Sequence, residues 1–459
     1  MKPTCSKGRG ARVARAEGGF PVRFPHAAGI DVGSREHFVA GPPNPDGTAN
    51  VRSFGTTTRE MEKLADWMKE QGVQSVAMES TGVYWIPLFE LLESCGFEAI
   101  LVDARQIKHV PGRKTDVIDC QWLQMLHASG LLRGAFRPPD DQCRVRSLIR
   151  QKGVLVRQQA DWLRRMQKSL DQMNVKVHRA VTDIGGITGM AIIRAIVQGE
   201  RDPIVLARLR DARCQKTEGQ IAEELRGTWR AEHLFNLAES LRMYEFSLQG
   251  IERYDREIEV AMRALAQTSE PVPELTDRRK QARIRQNQQE DRRQAVAQAL
   301  GHDLTRIDGY AVQTAETILG EIGAGISRFP TERHFVSFIG LSPGIEISGC
   351  KPVRRRTRGT CSSRVGAALR MAALTLRNSK TALGAYYRRM SRRKGASVAV
   401  FATARRLATL AYRMLRYGID YVDQGEAAFD ARFKTSRLRL ATDIAKQFGY
   451  KLLPIEVVA

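Results

Sequence analysis

Between Lys351 and Arg416 the chain has no aspartate or glutamate, while 18 lysines and arginines fall within those 66 residues. That stretch supplies most of the formal net charge of +23. A solvated face normally mixes both signs, so a surface this one-sided points to a polyanion, nucleic acid foremost. Long apolar runs are also missing. Val398–Ala402 is among the longest, far short of the roughly 20 residues of a membrane span. Cysteine is scarce. The seven, at 5, 95, 120, 143, 214, 350 and 361, are odd in number and lack Cys-x-x-Cys spacing. This argues against a disulfide scaffold or zinc module and for free thiols in a reducing cytoplasm. The eight histidines are scattered without metal-ligand spacing.

What remains is an ordinary globular mix, 42% hydrophobic and 27% charged, and the length is a soft prior for about three domains. Residues 1–26 are basic and rich in Gly and Pro, with no apolar stretch behind Lys2, Lys7, Arg9, Arg12 and Arg15. They read as a flexible tail, not a secretory leader. Two further basic tracts run from Arg144 to Lys168 and from Arg278 to Arg293.

Periodicity predicts strands at Ala27–Val32, His37–Ala40, Asn50–Phe54, Ser75–Met78 and Glu98–Val102. Helices are expected at Arg59–Gln71, Trp85–Ser94 and Asp116–His127. That order gives an α/β domain around a mixed sheet over residues 27–140. Residues 141–299 read as helical. Leu148, Leu155, Trp162, Met166, Leu170 and Met173 form a near-heptad stripe expected to promote self-association, and the polar stretch 268–294 reads as a linker or solvated helix. A third, mostly helical unit covers 300–421, and 422–459 is an uninformative tail. Within that third unit, Leu304–Ile322 resembles the hairpin of helix-hairpin-helix DNA binders, with Ala311 where a second glycine is usual.

Four acids stand out by position. Asp31 sits on the first strand, Glu79 ends a later one, and Asp116 and Asp119 share one helix face at i,i+3. Carboxylates from two strand ends and a helix suit Mg²⁺, which takes hard oxygen ligands and keeps positions for water and phosphate. A pair of such ions activates an attacking oxygen and stabilises a leaving one. Singly, each acid is as well explained as a turn, cap or solvated residue. Gly-Ile-Asp-Val-Gly at 29–33 also suits an actin-like ATPase strand, but no second phosphate loop accompanies it. Asp103 is taken as a helix cap. His37 and His109 are expected near the acids, and Tyr386-Tyr387 followed by Arg388-Arg389 suits stacking or phosphate binding.

The segments GIDVGSREHFVA (29–40), MESTGVYW (78–85), GRKTDVIDCQWLQMLHASGLLRGAFRP (112–138), FPTERHFVSFIGLSP (329–343), ISGCKPVRRRTRG (347–359) and ALRMAALTLRNS (368–379) carry a resemblance. In this order and spacing they resemble the DEDD-type transposases of the insertion-sequence "one-ten" family, bridge-RNA-guided DNA recombinases. The resemblance covers about residues 27–420. It implies an N-terminal domain of RuvC-like, RNase H-type fold, with Asp31, Glu79, Asp116 and Asp119 binding Mg²⁺. A helical, coiled-coil linker and a mostly helical transposase domain would follow.

The family's catalytic serine lies in a Ser-Gly motif, which falls here on Ser348-Gly349. Ser342, Ser362 and Ser363 are its nearest rivals and lack that context. Many relatives have Ser-Gly-Gly, whereas Cys350 follows here. Gly349, Lys351, Arg354, Arg355, Arg356, Arg358, Arg364 and Lys114 are the candidate nucleic-acid contacts, since arginine suits bidentate phosphate binding. The implied partners are DNA, a noncoding guide RNA and further copies of the chain, a dimer pairing into a tetramer, in the bacterial cytoplasm at the nucleoid. The alternative is a RuvC-like Mg²⁺-dependent endonuclease or junction resolvase that uses water in place of Ser348.

Overall fold

The structure, a computed structural model, describes residues 21–80, 82–103, 116–342 and 363–453, and the backbone alone of 344–348 and 351–356. It divides into two units, Met1–Arg137 and Pro138–Ala459.

The first unit is built on a five-stranded sheet of order β3-β2-β1-β4-β5. Strands β1 (Ala27–Val32), β2 (Glu36–Ala40) and β3 (Val51–Gly55) form an antiparallel meander. Strands β4 (Ser75–Glu79) and β5 (Glu98–Val102) extend it in parallel from β1. The first four residues of β1 are all buried, as expected of a central strand covered on both faces. Helix α1 (Thr58–Glu70) starts where the Thr57 side chain accepts a hydrogen bond from Glu60 N at 3.4 Å. It buries Met61, Leu64, Ala65 and Met68, spaced for one face. With α2 (Trp85–Ser94) it covers Ile30, Val39, Val76 and Met78 on one side of the sheet. Helix α3 (Asp116–Ala128) lies on the other, where Leu123 meets Ala77 and Val102.

Among its described residues the second unit is helical apart from one hairpin. Helix α4 (Asp140–Gln172) is followed by α5 (Val177–Ala180), α6 (Ile187–Val197), α7 (Pro203–Ala207) and α8 (Glu218–Glu224). Helix α9 (Ala231–Ala264) runs back along α4. Arg144 pairs with Glu257, Lys152 with Asp255, and Leu155 reaches Gly250, so the two long helices are antiparallel. The near-heptad stripe of α4 is therefore consumed within the chain. Leu148 joins one core, while Met166, Leu170 and Met173 join another with Leu237, Leu241 and Tyr244. The seam expected to hold two copies together holds α4 to its own neighbours, because a long return helix supplies the apolar partner.

Helices α10 (Arg278–Gln286), α11 (Glu290–Leu300), α12 (Val312–Ile322) and α13 (Glu332–Phe338) come next. They precede the hairpin of β6 (Gly344–Ser348) and β7 (Lys351–Arg356), then α14 (Arg364–Thr375), α15 (Ala382–Lys394), α16 (Ala396–Tyr417) and α17 (Gly425–Gln447). The helix-hairpin-helix candidate is a 3-10 turn at Leu304–Arg306, a left-handed Gly309 (φ 84°) and α12.

The polar stretch 268–294 is mostly exposed, and α10 buries only Gln281 and Ile284, as a solvated helix would, but the stretch is anchored to the core at a few points. Leu275 and Ile284 join the core of α12, α14 and α16. Arg293, fully buried, donates to Asp303 (2.6 Å), Glu290 (2.8 Å) and the Pro273 carbonyl (2.6 Å), and Arg292 forks onto Glu316 at 2.5–2.6 Å. A charged side chain is buried only when paired, and here the pairing acids lie mostly outside the stretch.

Removing one partner of such a pair leaves an uncompensated buried charge. Arg293→Ala is expected to lower unfolding stability by about 3–5 kcal/mol, read from urea unfolding midpoints. A change below about 1 kcal/mol would mean that the Arg293 cluster is solvated.

Candidate active site

The site is set by one close approach. A Cβ on Gly29 would stand 2.3 Å from Gln124 N and 2.6 Å from the Cys120 carbonyl, so the backbone of α3 lies directly on β1 and only glycine fits. Gln124 Nε2 donates to the Ala27 carbonyl at 3.2 Å. Gln124 and Cys120 both bear on Gly29, His127 Nε2 lies 2.7 Å from Ser75 Oγ beside the start of β1, and Asp31 near its end acts on Cys120, so α3 runs antiparallel to β1. Its first turn, which carries Asp116 and Asp119, falls at the C-terminal ends of the parallel strands.

Those ends carry the other two acids. Ile30 and Met78 are register partners on β1 and β4, so Asp31 and Glu79 are the next positions on adjacent parallel strands, about 4.8 Å apart. Strand alternation puts both on the face of Gly29 and Ala77, which is the α3 face. Asp31, Glu79 and Asp119 are half-buried and Asp116 is exposed. Cys120 reports this crowding. Burial first, then the charges of Asp31 and Asp119, push its thiol up to about 12, and Sγ donates to the Val117 carbonyl at 3.2 Å. The positive end of the α3 dipole eases the placing of acids in its first turn.

The donor set is entirely carboxylate oxygen, the chemistry that a hard divalent ion takes. Asp31 and Glu79 give two in-register donors, and the first turn of α3 gives two more at the same end of the sheet. Among the described residues no three acids, cysteines or histidines stand close enough together to hold an ion as they are.

The remaining candidates lie elsewhere. His37 sits opposite Val32 and Phe54 on the α1 face, away from Asp31. It is buried with Nδ1 unpartnered, and burial lowers its pKa. Strand alternation, which sequence proximity hides, separates it from the acids. Lys114, His109, Gly349 and Arg358 lie outside the described residues.

Ser348 is the last residue of β6, in the second unit, and is paired in register with Lys351 at the tip of the hairpin. Arg354, Arg355 and Arg356 lie along β7, opposite Glu346, Ile345 and Gly344. Arg364 opens α14 with its charge toward Glu321, 3.6 Å away, and Ser363 caps that helix by accepting from Gly366 N at 3.3 Å. Tyr387 is buried, and Tyr386 meets Phe429 edge-on. Gly29, Cys120 and Gln124 were not singled out in the sequence. The signal available was a glycine two residues before a strand-end aspartate.

Gly29→Ala is expected to push α3 off β1, with a loss of about 1–3 kcal/mol or more. It should also expose Cys120, whose alkylation at pH 8, followed by mass spectrometry of its peptide, should accelerate. An unaltered unfolding midpoint and unaltered Cys120 reactivity would refute the close approach.

Comparison with known proteins agrees with this layout. A DEDD-type IS110 family model, described as a transposase, matches residues 28–175, spanning all four acids. A second, described as the transposase IS116/IS110/IS902 family, matches residues 301–388, which hold Ser348 and the hairpin. Over 126 residues the chain is 31% identical to an insertion element IS110 uncharacterized 43.6 kDa protein of Streptomyces coelicolor. The match covers 27% of this chain and 31% of that relative. Two models of one family, met in chain order and together spanning just over half of the residues, place the chain in the IS110/IS116/IS902 transposase family.

Proposed function

We propose that the chain is a transposase that cuts and rejoins DNA at an insertion element, with the acid cluster and Ser348 as its two catalytic elements. The observation that carries this reading is the in-register pair Asp31 and Glu79, facing the acidic first turn of α3 at one end of the sheet. A RuvC-like fold for residues 27–140 is supported by the antiparallel meander continued by two parallel strands, with helices on both faces and acids at the strand ends. Residues 141–299 would then be the helical linker and 300–421 the transposase domain.

In this mechanism Asp31, Glu79, Asp116 and Asp119 would hold divalent metal, Mg²⁺ by donor chemistry. When bound, such an ion stabilises the charge that grows on a phosphate under attack. Ser348 Oγ attacks a DNA phosphorus. A new phosphoester bond forms, the bond to one deoxyribose oxygen breaks, and that oxygen leaves as a hydroxyl with the proton lost by serine. A hydroxyl from a second strand then attacks the phosphoserine and regenerates Ser348. One phosphodiester is exchanged for another, so no external energy source is needed. Lys114, Lys351, Arg354, Arg355, Arg356, Arg358 and Arg364 would grip the backbone, and Gly349 would admit it closely.

A guide RNA that pairs with donor and target would supply sequence choice, in keeping with the polyanion partner that the net charge of +23 favours. Dimers pairing into tetramers would supply the several sites that strand exchange needs, through surfaces other than the α4 stripe. Among the described residues no helix is long and apolar enough to cross a membrane. We place the protein in the bacterial cytoplasm at the nucleoid.

The test is excision in cells, with the gene and its native flanks on a plasmid and rejoined junctions amplified. Asp31→Asn is expected to cut junctions by at least about 10²-fold and Ser348→Ala to bring them to background, both proteins accumulating in soluble form. Full activity of Ser348→Ala with loss in Asp31→Asn would replace the serine by water and leave a RuvC-like nuclease.

A further inference from the structure

The acid-free stretch places Arg388, Arg389, Arg392 and Arg393 on α15, around a shallow cavity of about 320 Å³. The carboxylates lining that cavity come from α17: Glu426 and Asp430. Arg388 donates to Glu426 at 2.5 Å and to the Ser379 carbonyl at 2.6 Å, and Arg389 donates to Asp430 at 3.1 Å. Between these pairs, Phe429 and Phe433 lie under the Arg389 guanidinium, 4.6 and 3.3 Å from their centroids.

Glu426, Phe429, Asp430 and Phe433 are spaced i, i+3, i+4, i+7 and so form one helix face. That face alternates anions with flat rings. Phosphates and bases offer arginine the same two things. The hold is shallow, for no residue of α17 is buried along its 23 residues. Beyond Asp430 the helix turns cationic, with Arg432, Lys434, Arg437, Arg439 and Lys446 against Asp443 alone.

We propose that the arginine face of α15 is a DNA-backbone-binding surface that α17 covers in the free chain, as an internal nucleic-acid mimic, and yields when duplex DNA binds. This rests on the transposase reading and adds a contact surface and its control. The partly exposed ion pairs and cation–π contacts are individually weak, so phosphates presented in series displace them. The freed helix then adds its own cations to the complex.

The test uses the full chain, fluorescently labelled duplex DNA, and anisotropy measured over a range of salt. Glu426→Gln/Asp430→Asn is expected to bind about three- to tenfold tighter, with a salt slope steeper by about 1–2, because Arg388 and Arg389 no longer exchange one anion for another. Adding Arg388→Gln/Arg389→Gln should cancel the gain. Amide hydrogen exchange over 425–447 should rise when the wild-type chain is saturated with duplex.

Equal tightening by a control that removes two exposed acids elsewhere, Glu223→Gln/Glu232→Gln, would reduce the effect to net charge and overturn the proposal. So would unaltered protection of α17 in the DNA complex, or release by duplex RNA but not by DNA. Those results leave the transposase reading standing. A wild-type chain that binds no duplex DNA at any salt would remove both.

Discussion

The contact of α3 backbone on β1 backbone at Gly29 is the constraint from which the acid cluster follows. A helix laid that close has little freedom to slide or tilt, since its own N–H and carbonyl groups at Gln124 and Cys120 are the nearest neighbours. Once Gln124 is fixed over Ala27, the helix must begin at the strand ends, and Asp116 and Asp119 arrive beside Asp31 and Glu79 as a consequence. The cost of gathering like charges there is eased by the helix dipole and by partial exposure, which keeps the carboxylates in contact with water. Cys120, one position past Asp119, resists ionisation first because it is buried and then because Asp31 and Asp119 lie near it. A buried neutral group at that point keeps the helix seated without adding a further charge to the cluster.

Much of this was legible in the sequence because it is local. Short apolar runs between turn signals found all five strands of the sheet within a residue or so, and helical spacing found α1, α2 and α3. The i,i+3 spacing of Asp116 and Asp119 fixed their common face without any knowledge of the fold. What sequence could not yield was pairing over long separations. The α4 stripe looked like an intermolecular seam because its partner, α9, begins 59 residues after α4 ends. The stretch 268–294 reads as a linker or solvated helix, which α10 largely is, but its end is anchored because Arg292 and Arg293, polar in any composition, are neutralised in the fold by Glu316 and Asp303. His37 lay close to Asp31 in number and on the opposite face of the sheet, a distinction that only strand register makes.

The segregation of charge along the chain has a structural counterpart. Since no acid occurs between Lys351 and Arg416, every ion pair made by that stretch must borrow its carboxylate from another element. At least four of its cations do so: Arg364 from α12, Arg413 from α13, and Arg388 and Arg389 from α17. These borrowed pairs are exposed or half-exposed, so each contributes modestly and is screened by salt. They contrast with the buried Arg292 and Arg293, whose main acids, Glu316 and Asp303, are enclosed with them. The protein therefore holds two classes of arginine. One is committed to the core, and the other is matched by carboxylates that a polyanion can replace. Under the proposed displacement, such a surface is neutralised without nucleic acid, and phosphates need only outcompete weak internal anions. Under the proposed transposase function, that competition sets the salt dependence and the reversibility of DNA contact.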